Sequence, residues 1–351
     1  MKLVTPTHNP IVRRNFALFS GLVVLLAVLF CFDLLFGSVA IPWLDVLKSV
    51  FGKADNDVWN TIVRDFRLPK SITAVLAGAA LSVSGLQMQT MFRNPLAGPY
   101  VLGISAGASL GVAILVLGMA SLGVYNLSGL GTSFSLAGAA ILGSMLVLLV
   151  VLAVSVRVKD IMTILILGMM FGSAASALVS VLQYFSNESM LKAFVIWTMG
   201  SLSSVAGMQL KVFAFIVVVG LALSFISMRL LNVLLLGDSY ARGVGLNLTL
   251  TRTLIFTSTS LLAGGVTAFC GPIGFIGIAV PHIARMIFRT ANHAVLIPGV
   301  LLLGSIMLLF ADIVSQLPGL EVTLPINSIS ALLGIPIVIF VVIKNQRFSG
   351  I

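Results

Sequence analysis

The chain has 351 residues, 59% of them apolar and only 9% charged, with a mean hydropathy of +1.17. Soluble domains carry roughly a quarter charged residues, so a water-soluble globule is excluded. The net charge of +10 does not indicate nucleic acid, because the basic residues sit at the ends of apolar runs and form no stripe.

Ten apolar segments follow in chain order, near residues 16–36, 71–91, 100–119, 134–156, 161–182, 212–228, 253–270, 272–288, 295–315 and 326–343. At ~20 residues per crossing they predict an all-α polytopic membrane protein with about ten transmembrane helices, a single domain over residues 1–351. Cys31 and Cys270 both lie inside apolar runs, which leaves no disulfide framework or thiolate metal cluster.

Lys and Arg set the orientation. With residue 1 inside, the inner segments hold Lys2, Arg13, Arg14, Arg93, Arg157, Lys159, Arg229, Arg242, Arg252, Arg285, Arg289, Lys344 and Arg347. The outer segments hold Lys48, Lys53, Arg64, Arg67, Lys70, Lys192 and Lys211. This predicts both termini on the cytoplasmic side of the cell membrane, with residues 1–15 as a cytoplasmic tail. A cleaved signal peptide is the rival reading of the first segment, since Arg13 and Arg14 precede an apolar run and Ser38-Val39-Ala40 is small-x-small. That run is long for a signal core, so the segment is expected to remain as span one.

The first outer loop breaks the orientation bias, with Trp59-Asn-Thr-Ile-Val-Arg64-Asp-Phe-Arg67-Leu-Pro-Lys70 ahead of span two. Pro69 fits the first turn of a helix. The basic residues read either as snorkelling anchors or as a docking site for an acidic partner.

Small residues recur at helical spacing. Ala74, Gly78 and Ser82 share a face of span two, Gly103, Gly107 and Gly111 of span three, and Gly168 and Gly172 of span five. Such faces admit close helix approach or line a wide path. Pro272 and Pro281 make span eight the least regular, and a discontinuous helix is expected there, which membrane depth tolerates only under protein cover.

Acids within spans are few: Asp33 late in span one, Asp160 at the edge of span five and Asp312 late in span nine, none of them central. An ion-coupled carrier needs ionisable groups near mid-membrane, which disfavours that class. His282 and Arg285, three apart, share a helical face, where an interfacial structural role is expected. There is no His-Glu-x-x-His, no Gly-x-Ser-x-Gly and no Gly-x4-Gly-Lys-[Ser/Thr]. An intramembrane enzyme is thereby disfavoured, and any energy from ATP must come from a partner.

The inner connection 229–252 carries the apolar run Leu230 to Leu236, then Gly237 and Asp238. Asp238 is expected to N-cap a second short helix, ended by Gly243 and Gly245. Two short helices about a glycine turn make a knob, which either lies on lipid headgroups or docks a cytoplasmic protein.

Together these residues resemble the permease family of ATP-binding-cassette importers for iron chelates, haem and vitamin B12, over residues 60 to 345. The resemblance rests on Arg67-Leu-Pro-Lys70, Ala77 to Gln87, Arg93-Asn-Pro-Leu-Ala-Gly-Pro99, Leu102 to Ala108, and Leu236 to Gly245. Gly274-Phe-Ile-Gly277, Val280-Pro-His-Ile-Ala-Arg285 and Ala311-Asp312 complete it. It implies a type II ABC importer permease with ten membrane helices per subunit. The chain itself would be non-catalytic and hold no cofactor, ATP and Mg being bound by two partner ATPase subunits. The resemblance also implies an extracytoplasmic substrate-binding protein and a second permease subunit, expected to be another copy of this chain.

By the same resemblance, Leu236, Gly237, Asp238, Ser239, Ala241 and Gly245 form the ATPase-coupling loop. Arg64, Arg67 and Lys70 dock the binding protein, and Gly168, Gly172 and Ala175 line the translocation pathway. Three positions depart from the pattern. Lys70 stands where arginine is usual, which loses the bidentate fork. Gln316 replaces a basic residue that some relatives carry. Thr323-Leu-Pro-Ile-Asn327 replaces Glu-Leu-Pro-Val-Gly, so the start of span ten is expected to differ.

Overall fold

The computed structural model describes residues 10–37, 39–119, 132–158, 160–316 and 323–346. Lys2, Lys159 and Arg347, which enter the orientation argument, and His8 lie outside the described residues. Among the described residues there is no strand. Seven helices are long and apolar enough to cross a bilayer, and three shorter apolar helices account for the remaining predicted segments.

After α1 (Pro10–Leu35) come two short helices, α2 (Trp43–Val50) and α3 (Asp57–Thr61). A π-helical stretch, Ile62–Arg67, runs into α4 (Leu68–Met91), whose first turn holds Pro69 as expected. Then follow α5 (Ile104–Ala113), α6 (Thr132–Arg157) and α7 (Ile161–Phe185), which Asp160 caps through the Thr163 N–H at 2.9 Å. The connection after α7 contains a further helix, α8 (Glu188–Thr198), capped by Asn187. At 11 residues it is too short to cross a bilayer, and Phe194 pins it to the core.

The second half begins with α9 (Gly207–Ile226), α10 (Met228–Leu234) and α11 (Asp238–Gly243). Next, α12 (Leu248–Thr259), a π-helical turn at Ser260–Gly264 and α13 (Gly265–Cys270) make one crossing. The chain ends with α14 (Ile276–Phe288), α15 (His293–Ser315) and α16 (Ile326–Gln346).

The bundle is arranged inside out relative to a soluble domain. In α1, 17% of the apolar window is buried, and in α6 28%. In α4 the share is 83%, although α4 is the less apolar helix. Lipid tails are as apolar as leucine, so nothing drives leucine-rich faces inward; small side chains and hydrogen bonds do. The sequence of α4 supplies both. Gln87 is wholly buried and donates to Ser224 Oγ at 3.2 Å and Ser258 Oγ at 3.1 Å, while accepting from Thr259 Oγ1 at 3.0 Å. This ties α4 to α9 and α12. Each such interhelical bond contributes about 0.6 kcal/mol on average.

Around α4, two glycine pairs bring helix backbones into close approach. A Cβ on Gly78 would meet the Gly304 carbonyl of α15, and a Cβ on Gly85 the Gly277 carbonyl of α14. The adjacent Ser82 hydroxyl donates to Val300 O at 2.7 Å across the same seam. The predicted face of Ala74, Gly78 and Ser82 is therefore a helix seam.

The irregularity expected in span eight lies before the helix rather than within it. Pro281 sits inside a continuous α14, whereas 271–275 is unwound between α13 and α14. Protein covers that backbone: Asn327 accepts from Gly274 N–H at 3.0 Å, Tyr100 OH donates to Ile273 O at 2.9 Å, and Ser201 N–H donates to Cys270 O at 2.8 Å. Asn327, one of the departures at the start of span ten, thus holds the break. His282 and Arg285 take the structural role expected of them, His282 Nε2 bonding Pro95 O at 2.8 Å and Arg285 Nη1 donating to Gln89 Oε1 at 2.6 Å.

Candidate functional site

Two sites cap opposite ends of α4. At ~1.5 Å per residue, its 24 residues separate them by roughly 36 Å.

At one end the two short helices α10 and α11 form the expected knob, with Gly237 between them at φ +108°, a value that residues with a Cβ resist. Gly237, not Asp238, occupies the cap position, and no side chain caps α11, which corrects the capping expectation. The Asp238 carboxylate is held elsewhere. Its Oδ1 accepts from Arg93 Nη2 at 2.8 Å and its Oδ2 from Arg252 Nη2 at 2.8 Å. Arg93 follows the end of α4 and Arg252 lies in α12, so one carboxylate ties the knob to two crossings.

Of the other residues in the loop, Ala241 is the fully buried residue of α11, while Leu236, Ser239 and Gly245 are exposed. Leu235, Leu236, Tyr240 and Val244 form an exposed apolar patch on the knob. The arginine partners of Asp238 escaped the sequence reading, Arg93 because it lies 145 positions away and Arg252, only 14 away, because a local cap was expected instead. The motif Arg93-Asn-Pro was noted, but not its target.

At the opposite end a pocket of about 310 Å³ is lined by Arg67, Lys70, Asp312, Gln316, Phe66 and Ser201, among others. Arg67 is 5% exposed, and its guanidinium donates to Leu34 O at 2.9 Å, Leu35 O at 3.0 Å and Val39 O. It thus caps the orphan carbonyls at the end of α1. Lys70 Nζ pairs with Asp312 Oδ2 at 2.9 Å. Gln316 Nε2 bridges Asp312 Oδ2 at 3.0 Å and Asp33 Oδ1 at 3.2 Å, and Ser71 Oγ donates to Asp33.

The expected docking trio therefore divides. Arg64 is exposed, whereas Arg67 and Lys70 are committed inside the protein. This explains two of the five positive charges that crowd the first outer loop: they satisfy carbonyls and acids that the fold buries. Sequence reading noted Asp33, Asp312 and Gln316 singly, and only the packing of α1 on α15 brings them together.

The three expected pathway residues lie on a packed face of α7. Gly168 and Ala175 are buried and Gly172 half-buried, on the face of α7 that packs within this chain. A Cβ at Gly168 would lie 3.0 Å from Leu102 Cα, and one on Gly103 would lie 3.0 Å from Gly172 N. These small residues serve helix packing. The outward face of α7 instead carries Met169, Ser173, Ser176 and Ser180. The intrahelical bonds Ser173 Oγ to Met169 O at 3.0 Å and Ser180 Oγ to Ser176 O at 3.1 Å satisfy two of these hydroxyls.

No group of three or more His, Cys, Asp or Glu side chains that could hold a metal occurs among the described residues. The chain is a helical bundle built around α4, with a helical knob at one end and a pocket at the other, and this fold matches that of an ATP-binding-cassette transporter permease. A solved structure described as an inward-facing conformation of a metal-chelate type ABC transporter superposes with a TM-score of 0.80 at 29% identity, covering 93% of this chain and 99% of that one. The vitamin B12 import system permease protein BtuC of Citrobacter koseri is 33% identical over 335 residues, 95% of this chain and 96% of that protein. Its counterpart in Salmonella arizonae is 37% identical over 285 residues, 81% and 84% of the two chains. The family model of the FecCD transport family matches residues 25–344, and the chain belongs to that family.

Proposed function

We propose that this chain is the membrane-spanning subunit of an importer for a bulky chelate, vitamin B12 or an iron complex, driven by partner ATPases that grip the knob. The observation that carries this reading is the Asp238 clamp. A handle that transmits force must be stiff, and one carboxylate binding two arginines at 2.8 Å each makes it so. The exposed Leu235, Leu236, Tyr240 and Val244 supply the apolar contact that a partner protein would cover. ATP and Mg belong to those ATPases. The relatives are named for vitamin B12 import and the solved relative for metal chelates, which supports a large chelate as cargo. Reconstitution of the full complex with a panel of labelled iron chelates and cobalamin tests this; transport of one of them is expected, and transport of none would refute it.

Two copies of the chain would enclose the path, each contributing the outward face of α7. Hydroxyls spaced along Ser173, Ser176 and Ser180 suit a wet wall better than lipid. In a Cys31→Ser background, Ser176→Cys should react with a water-soluble maleimide, whereas Leu142→Cys, 69% exposed on α6, should not. Equal labelling at both positions would place α7 against lipid.

The binding protein would dock outside through Arg64. Arg64→Glu should weaken its capture, with the difference shrinking at high salt because exposed charges are screened over ~10 Å at 0.1 M. Arg67→Ala should instead lower thermal stability, because it strips three carbonyls of their donor. Loss of docking with unchanged melting in Arg67→Ala would reverse these assignments. Asp33 and Asp312 lie at the outer ends of their helices, Asp312 paired with Lys70 and Asp33 hydrogen-bonded by Ser71 and Gln316, so they do not favour an ion-coupled carrier.

A further inference from the structure

A separate cavity of about 260 Å³ opens where α6 ends and α12 begins, lined by Ser155, Val156, Arg242, Thr249 and Arg252, among others. The crossings Phe134–Arg157 and Leu248–Cys270 both terminate here, so the cavity lies at the boundary between hydrocarbon and water. Three features give it anion chemistry. Arg242, on α11, is exposed and makes no ion pair or hydrogen bond within the described residues. Arg252 is 4% exposed and gives Nη2 to Asp238. Ser155 is 8% exposed, and its hydroxyl has no hydrogen-bond partner among the described residues, although it lines the cavity.

The first turn of α12 borders the same space. The N–H groups of Leu248 and Thr249 precede any intrahelical acceptor, the Asn247 cap being used on Leu250. Asp238 and Asp160 offset part of the positive charge, but Arg93, Arg242 and Arg252 outnumber them. Next to the polar lining, Val156 is 66% and Leu250 68% exposed. Cationic groups and free hydroxyls beside exposed aliphatic side chains, at headgroup depth, match an amphiphile with an anionic head.

We propose that this cavity binds the phosphate of an anionic membrane phospholipid. Arg242 and Arg252 supply the charge, since guanidinium matches phosphate geometry, and Ser155 and Thr249 supply hydroxyls. The acyl chains lie against Val156 and Leu250. The occupant bridges α6, α11 and α12, so it braces the same short helix that Asp238 holds, and membrane composition sets how firmly that helix is seated. Arg252 is shared with the clamp through Nη2, whereas Arg242 and Ser155 make no bond to the Asp238 carboxylate.

The test uses the purified full-length permease in a neutral detergent, delipidated, with phosphatidylglycerol, phosphatidylcholine and inorganic phosphate as separate probes. Retained lipid is counted by native mass spectrometry and the melting temperature followed against probe concentration. Phosphatidylglycerol should be retained and should raise the melting temperature, with phosphatidylcholine and inorganic phosphate far weaker. Arg242→Ala should weaken phosphatidylglycerol binding by roughly fivefold to tenfold, about what one arginine contributes near an anionic surface. Ser155→Val, which keeps every charge, should weaken it by a smaller factor, and Arg229→Ala, an exposed arginine outside the cavity, should leave it unchanged. Equal stabilisation by inorganic phosphate would make this a free-anion site and overturn the lipid assignment. Arg242→Ala binding like the parent chain, or losing no more than Arg229→Ala, would overturn the site itself.

Discussion

Asp238→Ala should give a permease that inserts, folds and reaches the membrane in normal amounts, yet imports nothing when assembled with its ATPases. The carboxylate is the single acceptor shared by Arg93 and Arg252, each at 2.8 Å. Its side chain is 27% exposed and that of Arg93 45%, so solvent already screens much of the pair energy. The stability loss is therefore on the order of 1–3 kcal/mol, between the values for exposed and buried pairs. A bundle of this size survives that. What does not survive is the rigid connection from the knob to the ends of α4 and α12, because α11 has only six residues and no capping side chain of its own. Uptake of labelled chelate into vesicles, read beside ATPase activity and melting temperature, separates the two effects. Asp238→Asn should fall between, keeping an acceptor and losing the charge. Normal import by Asp238→Ala would remove the clamp from the path of force.

Gly85→Ala should do the reverse, damaging the fold before any question of coupling arises. The added methyl would fall on the carbonyl, carbon and Cα of Gly277, all of them backbone, so no side-chain rotation relieves it. Overpacking of a tight contact costs typically 1–3 kcal/mol, and more where neighbours cannot yield. Here the displaced partner is α14, already only 13 residues long and anchored by the unwound stretch before it. Gly78→Ala should behave similarly against Gly304. Gly138→Ala, on α6 with open space around it, is the internal control and should be neutral or stabilising by about 0.4–1 kcal/mol. Melting of the three variants in the same detergent decides the point. A Gly85→Ala protein as stable as Gly138→Ala would mean that α4 and α14 are not in backbone contact.

These two expectations draw on different levels of information. The apolar segments were visible in sequence because a bilayer demands about 20 apolar residues wherever a helix crosses it. The knob was visible too, as leucines followed by a glycine at the end of a span. Its fastening was not: the sequence suggested a local cap for Asp238, whereas the carboxylate reaches two arginines, one just past α4 and one on α12. Local rules favoured the nearest backbone N–H, and two guanidinium groups outbid it. The glycines of α7 were ambiguous for a related reason, since small residues serve both a packed seam and a wide path, and spacing is the same in each.

Hydropathy alone determined that this chain crosses the membrane about ten times, since no other environment accepts such a composition, and its motifs determined the family. Which helix stands at the centre was decided only by tertiary structure. In lipid the buried helix is the one with small and hydrogen-bonding side chains, and α4 is surrounded because Gln87, Gly78 and Gly85 find partners on α9, α12, α15 and α14. The same holds for charge. Arg67 and Lys70 looked like an outward-facing pair, yet Asp312 and the end of α1 lay close enough in space to claim them, and a Gln316–Asp33 contact spans 283 positions of chain. Burial of a charge depends on which opposite charge the fold delivers to it, and that is settled by packing over distances along the chain that no local pattern encodes.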